Sequence, residues 1–157
     1  MGPFFTSTAR SSEGRVAHTM DIDHDITSAV RHSIRLPAER YSVIRRFDEL
    51  ELSRLRRAVL LLFAGWNPLS PVSLLIVSRA IESLSSDGVE LYVIDCDCVP
   101  DTFAIGTFGR ASAGCGSGEV AWVRDGAIVA TFDAGSPPRL ESEVLRHTRE
   151  LLDIPAA

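Results

Sequence analysis

Trp66-Asn67-Pro68-Leu69-Ser70 is the stretch that decides the fold, because it joins two elements of different type. Before it runs Ala58-Val59-Leu60-Leu61-Leu62-Phe63-Ala64, which is apolar at every position. Such a run predicts a strand of a parallel sheet that is covered on both faces. After it, residues 71–85 carry apolar side chains over a broad face, which predicts a helix packed on that sheet.

Further elements are predicted on both sides of this unit. They are a helix at 25–34, an edge strand at 42–47, a helix at 48–57, a strand at 89–95, a helix at 101–109, a hairpin at 119–132 and a last helix that begins at Pro137 or Pro138 and ends before Pro155. Asp125-Gly126 supports the hairpin, because it supplies the positive φ angles of a tight turn. The sequence therefore predicts an α/β fold with a central mixed sheet, a βαβ half, a C-terminal ββα half, and helices on both faces.

Length and charge limit the classes of protein that fit. The 157 residues are enough for one domain with a full core, which we place at 42–153. We predict a disordered arm at 1–20, with Met20 as an alternative natural start, and an N-terminal extension with a short helix at 21–41. The net charge of −5 argues against a nucleic-acid partner. No apolar run is long enough for a membrane helix.

The N-terminus lacks a basic segment followed by an apolar core, so we predict no signal peptide and a cytoplasmic location. In that reducing setting Cys96, Cys98 and Cys115 are expected to be thiols. Every basic residue is an arginine, a bias that fits a bacterial type of composition.

The order of elements resembles the thioredoxin fold over roughly residues 42–153. Four features carry the resemblance, and each is weak alone. They are the apolar strand ending in Phe63-Ala64-Gly65-Trp66, the turn into a helix at 67–71, Ile94-Asp95-Cys96-Asp97 with Pro100 shortly after, and the Asp125-Gly126 hairpin. The resemblance implies a thioredoxin-like fold.

The departures from that family concern its chemistry. Thioredoxins read Trp-Cys-Gly-Pro-Cys at this turn, and here the two cysteine positions fall on Asn67 and Ser70. The family's buried aspartate matches Leu61, and its cis-proline matches Gly118. The resemblance therefore implies a divergent member that lacks the Cys-x-x-Cys motif. At those two positions we expect helix capping, since Asn and Ser are preferred N-cap residues.

These departures predict a protein that binds a peptide or partner protein without redox activity. The expected contacts lie in a groove near the turn, at Trp66, Asn67, Pro68, Ser70 and Gly118. No cofactor and no metal are expected, and no catalytic residue acts by the conventional dithiol mechanism.

Two alternatives remain open at this point. Cys98 and Cys115 could form a relocated redox pair in an atypical thiol–disulfide oxidoreductase, or a soft-metal site with Asp95 or Asp97. If the cysteines have no function, Cys96 is a small core residue and the other two cysteines are incidental. In the second alternative, the protein is a structural subunit, such as a homo-oligomer, assembled through the N-terminal extension.

Overall fold

The computed structural model describes residues 26–84, 88–132 and 137–154, in which five strands form one mixed sheet. The strands are β1 (Tyr41–Ile44), β2 (Arg57–Phe63), β3 (Glu90–Asp95), β4 (Val120–Arg124) and β5 (Ala127–Phe132), in the order β1-β3-β2-β4-β5. The helices are α1 (Ile26–Ser33), α2 (Leu69–Ser83), α3 (Asp101–Phe108) and α4 (Pro137–Leu151). This is the thioredoxin-like arrangement that the sequence predicts.

The sheet has a parallel half and an antiparallel half. Strands β1 and β2 both run parallel to β3, whereas β4 pairs antiparallel with β2 and with β5. Phe63 at the end of β2 lies opposite Asp95 at the end of β3. The turn that follows β2 and the segment that follows β3 therefore emerge side by side at one edge of the sheet.

Strand β2 lies at the centre of the core, and its side chains alternate between two apolar clusters. Val59, Leu61 and Phe63 face the first cluster, which α1, α2 and α4 cover. Leu60 and Leu62 face the second cluster, which α3 and the segment 45–56 cover. Fully burying one such side chain contributes about 1.5–3 kcal/mol, so both faces of the strand stabilise the fold.

The prediction of a helix at 48–57 is wrong. Two short 3₁₀ turns, Phe47–Glu49 and Leu52–Arg54, occupy this connection, and the backbone between them is extended. The apolar residues that pack against the second cluster are Phe47, Leu50, Leu52 and Leu55. At 100° per residue these positions spread over about 200° of a helix, so one helical face could not bury them all.

The predicted hairpin is confirmed, and so is the helix of the N-terminal extension. Asp125 and Gly126 have φ angles of 48° and 82°, and they connect β4 to β5. In α1, Ile26 and Val30 are buried in the first cluster, where the helix packs against α2. The predicted arm at 1–20 and Pro155 lie outside the described residues.

Candidate functional site

The turn after β2 is closed by backbone bonds and by the side chain of Asn67. The Asn67 amide N–H donates to the carbonyl of Ala64 (3.0 Å), and the Asn67 carbonyl accepts from the Ser70 amide (3.0 Å). Asn67 Oδ1 accepts a hydrogen bond from the amide of Leu69 at 2.9 Å. Because this amide lies in the first turn of α2, it would otherwise have no helical partner. Asn67 is therefore the residue that caps α2, as predicted.

Ser70 has a different role, although it stands at the other expected capping position. It is buried, and its Oγ accepts from the Ala64 amide at 2.9 Å. The same hydroxyl donates to the carbonyl oxygen of Gly116 at 2.6 Å. Ser70 therefore links the end of β2 to the loop that precedes β4.

Asn67 reaches the same loop with its amide nitrogen. Asn67 Nδ2 donates to the carbonyl oxygen of Cys115 at 3.4 Å and to Ser117 Oγ at 3.2 Å. The two positions that match the family's cysteines thus hold the loop 109–118 by hydrogen bonds. Neither an amide nor a hydroxyl without a neighbouring base is a thiol-type nucleophile.

A disulfide joins Cys96 to Cys115, and both residues are fully buried. The expectation that these two are thiols is therefore wrong, and so is the pairing of Cys98 with Cys115. Cys96 directly follows β3, and the loop returns to that edge, so the two Cα atoms lie 6.6 Å apart, within the range a disulfide allows. A soft-metal site at Cys115 would need this sulfur free.

Cys98 is a half-buried free thiol, with its Sγ 3.9 Å from the carbonyl oxygen of Ile44. The pKa of Cys98 is raised from 9.0 to about 11, first by burial and then by the negative charges of Asp95, Glu49 and Asp97. The thiolate is the reactive form of cysteine. Cys98 is therefore protonated at neutral pH and is poorly suited to nucleophilic attack.

Two glycines allow the loop to approach α2 closely. A Cβ on Gly116 would lie 2.5 Å from Ala64 Cβ and 2.8 Å from Ser70 Oγ. Gly118 has φ +108°, and a Cβ there would lie 3.1 Å from Ser73 Oγ. Gly118 is buried, so it shapes the loop rather than presenting a surface to a partner. None of the peptide bonds in the described ranges is cis.

Glu119 is the site residue that the sequence prediction missed. Its side chain is fully buried, and Oε2 accepts from the amides of Gly116 (2.8 Å) and Ser117 (3.1 Å). Arg110 Nη1 lies 3.9 Å from the second carboxylate oxygen, Oε1. The sequence did offer one signal for a buried acid. Glu119 is a charged residue between a Gly-rich loop and the apolar run Val120-Ala121-Trp122-Val123. The buried acid of this site thus directly precedes β4, whereas Leu61 on β2 belongs to the apolar core.

Three exposed apolar side chains lie next to this buried network. Trp66 and Leu69 are each 53% exposed and Val72 is 45% exposed. Leu69 and Val72 are three positions apart in α2 and so lie on one face of the helix, and Trp66 stands in the turn that leads into it. We call these three residues the Trp66 surface. Trp66 Nε1 donates to the carboxylate of Asp97 at 3.4 Å, so an exposed acid borders the surface.

Neither a metal-binding cluster nor a membrane-spanning helix is present within 26–84, 88–132 and 137–154. These residues hold no group of three His, Cys, Asp or Glu side chains that could bind a metal ion. None of the helices described there has the length and apolar character needed to cross a membrane.

The chain is similar to known proteins in structure but matches none of them in sequence. No protein-family model and no curated protein matches the chain. It is similar to oxidised thioredoxin from Plasmodium falciparum (11% identity, TM-score 0.52, 69% of this chain and 98% of that one). It is also similar to oxidised thioredoxin O2 from Arabidopsis thaliana (18% identity, TM-score 0.52, 68% and 93%). At identities this low, the likeness establishes the fold alone.

Proposed function

We propose that this thioredoxin-fold protein binds an extended apolar segment of a partner protein at the Trp66 surface. The observation that carries the proposal is the exposure of Trp66 and Leu69, each at 53%, beside a turn whose polar side chains point inward to the loop. Large aromatic residues supply much of the energy at protein interfaces. The bordering carboxylate of Asp97 favours a segment whose apolar residues are flanked by Lys or Arg.

The site residues divide by role under this proposal. Trp66 and Pro68 are exposed and contact the partner, and Asn67 is partly exposed between them. Ser70 and Gly118 are buried, so they support the surface from within. Leu69 and Val72 extend the contact along α2 beyond the residues that the sequence predicted.

A second candidate function is thiol–disulfide exchange, which the Cys96–Cys115 bond favours. This pair replaces the Cys98–Cys115 pair of the sequence-based alternative. Exchange requires a thiolate to reach a sulfur atom, and both residues are fully buried. Binding is therefore the better supported function. Assembly through the N-terminal extension is less well supported, because Ile26, Val30 and Leu36 are buried in the protein's own core.

Selection from a random peptide library displayed on phage tests the binding proposal. The native protein should enrich peptides that combine large apolar residues with Lys or Arg. A Trp66→Ser variant should bind the most enriched synthetic peptide at least about tenfold more weakly, because truncating an interface Trp typically costs 2 kcal/mol or more. Fluorescence anisotropy of the labelled peptide gives the affinities.

Val129→Ser is the matched control, since Val129 is 54% exposed but lies on β5 at the other side of the sheet. It should leave the affinity unchanged. An Asp97→Asn variant should weaken binding mainly at low salt, because exposed charges are screened as ionic strength rises. Selection without enrichment, or peptides that bind Trp66→Ser as well as the native protein, would refute the proposal.

A further inference from the structure

The disulfide fastens the loop 109–118 to the sheet edge at which the Trp66 surface lies. Cys96 and Cys115 are 19 positions apart, and α3 lies between them in the chain. Cys96 is followed directly by Asp97, the residue that accepts the indole N–H of Trp66. The bond therefore ties together two segments that both reach the turn after β2.

The loop is also held by three polar side chains. Asn67 binds the carbonyl of Cys115, and Ser70 binds the carbonyl of Gly116. Glu119 accepts two amide hydrogen bonds from the same stretch. Because these side chains are hydrogen-bonded to Cys115 and its neighbours, a displacement of the loop alters the bonds of Asn67, the residue that directly follows Trp66.

The segment that leads into Cys115 is exposed, although both sulfur-bearing residues are buried. Ala111, Ala113 and Gly114 are exposed residues with small side chains, and a Cβ added at Gly114 would meet nothing within 4 Å. A local opening of this segment, without unfolding of the sheet, would admit a small thiol. After reduction the Cys115 thiol has an acceptor at hand, since its Sγ lies 2.9 Å from the Ser112 carbonyl oxygen.

We propose that Cys96–Cys115 is a reversible thiol–disulfide site that regulates the Trp66 surface, an inference that rests on the binding function proposed above. A small dithiol gives two electrons and two protons to the bond. The products are the Cys96 and Cys115 thiols and the disulfide of the reductant. The oxidised form binds the partner segment more tightly, because the loop of the reduced form must be ordered when binding occurs.

Three measurements on the native chain test the regulation. The protein is treated with dithiothreitol in native buffer, and alkylation followed by mass spectrometry identifies the free thiols. Hydrogen–deuterium exchange then compares residues 111–119 with residues 59–63 of β2. Anisotropy gives the affinity of the most enriched phage-derived peptide for each form. A Cys98→Ser variant is the control, because its disulfide is intact.

Both thiols should become alkylated while the circular dichroism of the fold is retained. Amides in 111–119 should exchange at least about tenfold faster, and those of β2 should be unchanged. The peptide should bind the reduced form about tenfold more weakly. Reoxidation by an excess of the oxidised dithiol, which takes up the two electrons and two protons, should restore the affinity. Cys98→Ser should give the same three results.

The inference is overturned if both sulfurs stay protected until denaturant unfolds the chain, since the bond is then a static cross-link. It is also overturned if the peptide binds both forms equally, an outcome that leaves the binding function intact. If no peptide binds either form, the binding function fails. The alkylation and exchange results then decide separately whether the bond is reversible.

Discussion

At the scale of single residues, Asn67 and Ser70 stabilise the same loop by different bonds. Asn67→Ala removes the cap on α2 and should lower the free energy of unfolding by about 1 kcal/mol. Ser70→Ala leaves the buried amide of Ala64 and carbonyl of Gly116 without this partner, which should cost roughly 1–3 kcal/mol. Denaturant melts measure both losses.

Ser142→Ala is the control for this pair, because its exposed hydroxyl donates only to Arg139 in the first turn of α4. That variant should unfold almost as the native protein does. If Ser70→Ala is equally neutral, then the hydroxyl does not link β2 to the loop, and the two positions differ less than their hydrogen bonds indicate.

Cys98 provides a second prediction at this scale, because its pKa is raised to about 11. Two pKa units lower the thiolate fraction about a hundredfold at pH 8, while a more basic thiolate is intrinsically about tenfold more reactive. Alkylation by iodoacetamide at pH 8 should therefore be roughly tenfold slower than in the unfolded, reduced chain. The rate should rise steeply towards pH 11. A native rate that levels off near pH 9 would contradict the raised pKa.

The sign of the pH effect on stability follows from the same shift. The folded state keeps the Cys98 proton to a higher pH than the unfolded state does, since the pKa rises from 9.0 to about 11. Between these values the unfolded chain binds fewer protons, so stability falls as the pH rises. Below pH 9 this thiol makes no pH-dependent contribution.

At the scale of elements, the disulfide closes a loop that contains α3. The paired substitutions Cys96→Ser and Cys115→Ser should lower the free energy of unfolding by about 3 kcal/mol, the entropic effect of opening a loop of about 20 residues. Cys98→Ser should change it far less, because Cys98 is outside the bond. Melts of the three proteins without reductant make the comparison, and equal midpoints would show that the bond does not stabilise the fold.

The elements also show where periodicity suffices to predict structure and where it does not. The apolar run of β2 and the Asp125-Gly126 turn are local signals, and the structure confirms both elements. In the segment 48–57 a helix was predicted, but the spacing of the apolar residues suits two 3₁₀ turns. The loop 109–118 has no periodicity, so its contacts with Asn67, Ser70 and Glu119 depend on tertiary structure alone.

At the scale of the whole molecule, topology predicted the neighbourhood of the site but not its bonds. The parallel pairing of β2 and β3, which belongs to the predicted βαβ half, brings the turn after β2 and the segment after β3 to one edge. Which cysteine pairs with Cys115 depends on side-chain direction after β3, where Cys96 points into the core and Cys98 lies near Ile44. The burial of Glu119 likewise follows from the path of the loop, which no local pattern of residues specifies.

The fold as a whole supports a last prediction about its chemistry. The native protein, supplied with dithiothreitol, should reduce a protein disulfide at close to the uncatalysed rate. Asn67 and Ser70 are not thiols, Cys98 is protonated, and Cys96–Cys115 is buried. The paired substitutions Asn67→Cys and Ser70→Cys should raise that rate, because a cysteine at the start of α2 has its pKa lowered by the helix N-terminus.

The control for this assay is the variant with only Asn67→Cys, which lacks a resolving thiol. Its mixed disulfide with the substrate must be resolved by dithiothreitol, so its rate should lie below that of the paired variant. A native rate well above the uncatalysed one would contradict the prediction. If the paired Cys96→Ser and Cys115→Ser substitutions abolished that rate, the catalysis would belong to the Cys96–Cys115 bond. Thiol–disulfide exchange would then replace binding as the proposed function. The two buried sulfur atoms would have to become accessible to the substrate through a local opening of the loop.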